Sequence, residues 1–218
     1  MQKFGSRKAR SIDLQENGRR RTRGFDTSRP VGSFIEVVRG VLFEPARFFA
    51  GLTPRQEGVW APLILAGICF VISAPLSLLS APLDPLAPED VLSPLFSLFS
   101  LAQDSPGTAV VLAVFLLLLV PLFVALSVYL GTAIHHLFVL LFVRQQRGFP
   151  ATFLVVAYGS ALQLLSWIPV LGYLASLYGI YVFTVGLREV HGTTTTQALL
   201  AALVPSLLAL VWFAYALF

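Results

Sequence analysis

Charged side chains are scarce in this sequence. Asp, Glu, Lys and Arg together supply 12% of its 218 residues, half the ~25% of soluble domains and too few to coat a water-soluble globule of this size. Hydrophobic residues supply 56%, and apolar runs exceed the ~20 residues that cross a bilayer. Cysteine occurs once, as Cys69, which excludes an intrachain disulfide scaffold and leaves the redox compartment open. The long apolar intervals hold no carboxylate, lysine or arginine. That speaks against an ion-coupled transporter or pump, which needs ionisable relays inside the membrane. An early apolar run is also missing, so no secretory signal peptide is expected. The Arg-rich start superficially resembles a mitochondrial presequence, but Asp13, Glu16 and Asp26 speak against it.

What charge there is sits at one end. Twelve of the fifteen Lys and Arg precede residue 60, against six of the eleven acids. Four charge-free intervals follow, at 58–83, 105–143, 148–187 and 192–218. The first and last each fit one helix. The third contains Trp167-Ile168-Pro169-Val170-Leu171-Gly172 near its middle, where proline and glycine predict a tight hairpin turn. The second contains Pro121, which marks either a kink or a further hairpin. Loop charge decides between them. The loop before this interval carries Asp84, Glu89, Asp90 and Asp104 without Lys or Arg, whereas Arg144 and Arg147 flank the next. The positive-inside rule puts these two loops on opposite sides, which a single crossing satisfies. A helix over 109–143 would measure ~52 Å against a hydrocarbon thickness of ~30 Å, so it must tilt, kink at Pro121 or project past the interface, and a kink close to Pro121 is expected. The expected fold is an all-α polytopic bundle of five transmembrane helices, near 61–82, 109–136, 151–167, 171–187 and 197–217. Its N-terminus lies in the cytosol and its C-terminus outside.

Ahead of the membrane domain, at 58–218, two segments are expected. Residues 1–32 form a disordered basic tail, whose Arg19, Arg20, Arg21 and Arg23 suit anionic lipid head groups or an acidic protein face. Residues 33–57 form an amphipathic segment. On a helical wheel Phe34, Val37, Val38, Val41, Leu42, Phe48 and Phe49 share one side, opposite Glu36, Arg39, Glu44 and Arg47. Its apolar side either lies in the interface or packs on the bundle, and Pro45 divides it. Beyond the first span, residues 91–102 suit a short interfacial or re-entrant helix.

Several short elements then resemble a known family. They are Pro45-Ala46-Arg47-Phe48, Ala157-Tyr158-Gly159-Ser160, the Ile-Pro-x-x-Gly turn at 168–172 and Gly-Leu-Arg-Glu-Val-His-Gly at 186–192. In this order the chain resembles the YIP family, the Ypt/Rab-interacting-protein domain of five-span membrane proteins, and particularly its bacterial branch, over residues 34–218. The resemblance implies a five-helix bundle with a cytosolic N-terminus. Eukaryotic members act in Golgi and ER vesicle traffic and contact Rab-type GTPases. Their Asp-Leu-Tyr-Gly-Pro element is missing here, which speaks against Rab binding and favours a bacterial inner membrane over Golgi or ER.

Candidate chemistry is thin. His135, His136 and His191 are the only candidate metal or acid–base cluster. Adjacent helical histidines point ~100° apart, unlike an i, i+4 pair, so their expected role is interfacial polarity, not metal binding. Gly159-Ser160 lacks the Gly-x-Ser-x-Gly context of a nucleophile elbow. Thr152, Gly159, Gln163 and Ser166 share one face of the third span, as do Gly172, Ser176, Gly179 and Gly186 of the fourth. Small faces of this kind let helices approach closely in lipid, so they are expected to form the internal seam. The function expected is non-enzymatic, without cofactor, metal or nucleic acid: organising membrane or recruiting a protein partner or second copy through the cytosolic face. Arg19, Arg20, Arg21, Arg23, Arg39 and Arg47 would hold lipid or partner. The alternative is a small-solute permease or the membrane subunit of a transporter.

Overall fold

A computed structural model of the chain describes residues 24–80, 83, 100 and 105–216. Among the described residues three short helices come first: α1 (Pro30–Phe43), α2 (Pro45–Ala50) and α3 (Pro54–Glu57). Each begins on proline, whose fixed φ and missing N–H suit the first helical position. Pro45 divides the amphipathic segment as expected, because it cannot extend the hydrogen-bond ladder of α1. The helix starts at Pro30, three residues ahead of the expected boundary, because the turn before it is held by bonds between Asp26 and Ser33. The basic cluster at 19–23 and the short helix expected at 91–102 lie outside the described residues, Ser100 apart.

The longer helices are α4 (Trp60–Ser80), α5 (Pro106–Phe142), α6 (Phe149–Gly159), α8 (Leu171–His191) and α9 (Thr195–Ala216). Between α6 and α8 the chain passes through a 3₁₀ turn, Ser160–Leu162, and the single turn α7, Gln163–Ser166. Among the described residues, four stretches are long and apolar enough to cross a membrane: Trp60–Ser80, Leu118–Phe142, Phe149–Ser166 and Leu171–His191. The fifth expected span falls on α9, whose apolar stretch, Thr195–Leu208, is shorter. The chain is an all-α, polytopic membrane bundle. α5 runs unbroken through Pro121 for 37 residues, or ~55 Å, so no second hairpin interrupts that interval.

α6 is the central helix. From Ala151 to Ala161 every residue except Val156 is buried, between α4, α5 and α8. α9 closes the bundle against α5 and α8 with Ala198, Ala201 and Ala202 buried, small side chains that allow close helix approach. The apolar side of the amphipathic segment packs on the bundle: Val37, Val41, Phe48 and Phe49 all belong to its core. Of the two arrangements open to that segment, packing on protein is the one the structure contains.

The α7–α8 turn explains the Ile-Pro-x-x-Gly element. Val170 has φ 68° and ψ −48°, and Leu171 N–H bonds Pro169 O at 2.8 Å. This is the uncommon γ-turn, strained for a β-branched residue. At Gly172 a Cβ would stand 2.7 Å from the Ser166 carbonyl oxygen, so only glycine lets α8 start that close to α7. Val170 is exposed, so its side chain contributes little packing. Replacing Val170 with glycine is expected to relieve about 1 kcal/mol of backbone strain. A thermal midpoint raised by about 2–4 °C in detergent would show this.

Candidate functional site

Two polar clusters lie along α6, one near its last residues at Tyr158 and one near its first turn at Thr152. The first ties the N-terminal segment to α6. Tyr158 is fully buried. Its hydroxyl donates to Glu57 Oε2 at 2.8 Å and accepts the Phe25 N–H at 3.0 Å. The Gly24 amide bonds the same carboxylate. No side chain fits at Gly24, where a Cβ would lie 1.8 Å from Glu57 Oε2 and 2.4 Å from the Tyr158 hydroxyl. Phe48 meets the Tyr158 ring edge-on at 5.3 Å. At Gly186 a Cβ would come within 2.8 Å of Val155 and 3.2 Å of the Phe49 ring, so this glycine lets α2 and α6 seat on α8. Thus Phe48 and Phe49 from the Pro-x-x-Phe stretch, Tyr158 and Gly159 from Ala-Tyr-Gly-Ser, and Gly186 from the last element converge on one region.

Those elements are ones expected of a single family, and the Yip1 domain family matches residues 39–216. The chain belongs to the Yip1 family. No curated protein and no solved structure matches it significantly. Tyr158 and Gly186 thus act within this Yip1 domain as packing and anchoring residues.

Burial raises the Glu57 carboxyl above its ordinary range, opposed by the bonds from Tyr158 and Gly24. A carboxyl raised in the folded state favours docking most when protonated. Docking strength is therefore complete below the ordinary glutamate pKa and declines as pH rises through the raised value. A spin label at Ser28 should become more mobile across that rise, and Glu57→Gln should remove the dependence. A pH-independent wild type would contradict it.

The second cluster joins α5, α6 and α8. His136 Nδ1 lies 2.9 Å from Thr152 Oγ1, which lies 3.1 Å from His191 Nε2. Arg147 N–H donates to His191 Nδ1 at 3.1 Å, and its guanidinium donates to the Val190 carbonyl at 3.2 Å. Because His191 Nδ1 accepts, the neutral ring carries its proton on Nε2 and donates to Thr152. The threonine hydroxyl then donates to His136 Nδ1. The chain of bonds has one direction, from the loop into α5. Arg147 also caps the carboxyl end of α8, where left-handed Gly192 closes the helix and cationic groups suit the helix dipole.

His135 stands apart. Its Nδ1 bonds the Gly131 carbonyl of its own helix at 2.8 Å, and its ring rests on Phe183. The expected divergence of neighbouring histidines is therefore present. The link from His136 to His191 through Thr152 was not anticipated. Among the described residues no group of three His, Cys, Asp or Glu could hold a metal ion.

The expected seam is corrected in part. Thr152, Gly159, Gly179 and Gly186 are buried, with Gly159 against Phe183 and Gly179 against Leu162. Gln163, Ser166 and Ser176 are exposed. Gln163 and Ser166 lie beyond Ala161, where the chain leaves the buried part of the bundle on every side: Leu162, Leu164 and Leu165 are only half-buried. On α8 the buried stripe passes through Ala175, Gly179, Val182 and Gly186, one residue ahead of Ser176, whose hydroxyl bonds the Gly172 carbonyl. Arg39 is exposed. Arg47 is exposed as well and pairs with Glu44 at 3.1 Å.

Proposed function

We propose that this Yip1-family protein is a non-enzymatic membrane organiser that recruits anionic lipid, or an acidic protein surface, through its N-terminal face. α9 serves as the fifth span, with the N-terminus in the cytosol and the C-terminus outside. Arg19, Arg20, Arg21 and Arg23 supply most of the attraction, and Arg39 and Arg47 extend it along α1 and α2. The observation that carries this proposal is the anchoring of the N-terminal segment. It is fixed to the spans at both Tyr158 and Tyr178, through bonds to Phe25 N–H and Leu42 O. Whatever the tail binds is therefore held in register with the bundle.

Each basic residue near an anionic surface contributes about 1 kcal/mol. Neutralising Arg19, Arg20, Arg21 and Arg23 to glutamine should weaken capture of the detergent-solubilised chain by phosphatidylglycerol liposomes at least tenfold. High salt should weaken the wild type in the same way. Unchanged capture by the variant would remove the proposal. Orientation is checked separately: a reporter fused after Phe218 should read outside and one near Arg147 inside. A C-terminus on the inside would break the five-span arrangement.

A further inference from the structure

The contacts between α6 and α8 provide a depth ruler along the bundle. Thr152 meets His191, Val155 meets Gly186, Gly159 meets Phe183 and Leu162 meets Gly179. Against this ruler Phe49 of α2 lies on Gly186, and the carbonyl of Leu42 near the end of α1 accepts from the Tyr178 hydroxyl at 2.7 Å. At 1.5 Å per residue, Gly186 lies ~8 Å from His191 and Tyr178 ~20 Å. The segment therefore runs from the level of Tyr158, where Phe25 is bonded, to just past the middle of α8 at Tyr178, and after Pro45 α2 comes back. At the tip, Leu42 and Phe43 line one cleft with Leu165 and Tyr178, residues of two membrane-length helices. Leu174 and Leu177 of the same part of α8 are exposed on the bundle, as lipid-facing residues are. What covers them covers Phe43 too.

The face of α1 turned away from the bundle fits that surrounding. Val31, Ile35 and Phe43 are 73%, 59% and 76% exposed. On the wheel they lie away from the buried Ser33, Val37 and Val41, with Val31 and Ile35 on one flank and Phe43 on the flank that also carries exposed Glu36. Arg39 interrupts the row, and its long apolar stem allows the guanidinium to reach the head groups. At the tip, Glu44 is paired with Arg47, which lowers the cost of bringing that charge toward hydrocarbon.

We propose that α1 and α2 form a wedge seated in one leaflet, with Val31, Ile35 and Phe43 against acyl chains and Arg39 among the head groups. It deepens the proposed function by naming lipid as the partner of this face, and it does not depend on the tail arginines. A wedge in one leaflet widens that leaflet only, so the protein favours curved bilayers. Because it is clamped at Phe25 and Leu42, the wedge does not come and go as a free amphipathic arm does.

Cys69 is buried and is the only cysteine, which makes the full chain suitable for spin labelling after Cys69→Ala. Nitroxides at positions 31, 35 and 43, with 36 for comparison, are placed on exposed residues that the fold does not need. The labelled protein is reconstituted into vesicles of phosphatidylcholine and phosphatidylglycerol. Collisions with oxygen, which partitions into hydrocarbon, are compared with those of a water-soluble nickel chelate. The ratio of oxygen to nickel collisions should rise several-fold from position 36 to 35 and be highest at 43. Nickel access at 35 and 43 equal to that at 36 places this face in water and overturns the wedge. Shielding of 35 and 43 from both reagents overturns it too, since a protein would then cover the face. Loss of liposome capture in the arginine variant with a failed depth profile leaves recruitment standing and removes the wedge alone.

Discussion

Tyr158→Phe is expected to release the N-terminal segment from the bundle at a cost of about 2–4 kcal/mol. The substitution keeps the ring, and with it the edge-on contact to Phe48, so little packing changes. It removes the hydroxyl that donates to Glu57 and accepts from Phe25 N–H. The Phe25 N–H then loses its acceptor at a buried site, while half-buried Glu57 loses one donor and keeps the Gly24 amide, so the cost of the unpaired amide dominates. Gly24→Ala should reach the same end by another route, because its Cβ occupies the space of the Glu57 carboxylate and the Tyr158 hydroxyl. Two substitutions that break one cluster do not add. The double variant should therefore melt close to the worse single variant. Limited proteolysis near residue 28, read beside the thermal midpoint, separates local release from general unfolding. Full protection of that segment in Tyr158→Phe would show that Phe48 and Phe49 hold it without the hydroxyl.

How much of this was legible in advance depends on whether the deciding physics was local. Pro45 ended α1 and Pro169 with Gly172 made the tight turn before α8, because each acts through its own backbone. The charges at Arg144 and Arg147 bounded α5, because helix ends in membrane proteins follow the cost of charge in hydrocarbon. The seam was only half legible. A wheel gives a residue's direction but not its depth in the bundle, and Gln163 and Ser166 lie past Ala161, where burial ends. Least legible were the pairings between distant helices. Glu57 and Tyr158 are 101 positions apart, and their contact needs the tilt and depth of α3 against α6, which no local pattern encodes. A lone carboxylate at the edge of the first span was the available signal, since such a group needs a donor when buried.

Thr152→Val should cost about 2–4 kcal/mol although it changes almost no volume. Thr152 is fully buried, and its hydroxyl is the link between His191 and His136. Valine leaves the Nε2–H of His191 without an acceptor and Nδ1 of His136 without a donor. His191 cannot respond by moving its proton to Nδ1, because the Arg147 amide already points there, and two donors would then face each other. Nor can it turn away easily, being buried itself among α5, α6 and the α8 terminus. The loss should therefore extend to the loop before α6, through Arg147 and its bond to the Val190 carbonyl. Thr152→Ser, which keeps the hydroxyl, should recover most of the stability. Imidazole nitrogen resonances give the sharper check: wild type should show His191 as the Nε2–H tautomer, and Thr152→Val should alter the His136 and His191 signals while leaving His135, bonded to Gly131, unmoved. If all three histidines respond alike, the directed chain through Thr152 is wrong. If the valine variant melts with the wild type, the two imidazoles have other partners and Thr152 only fills space.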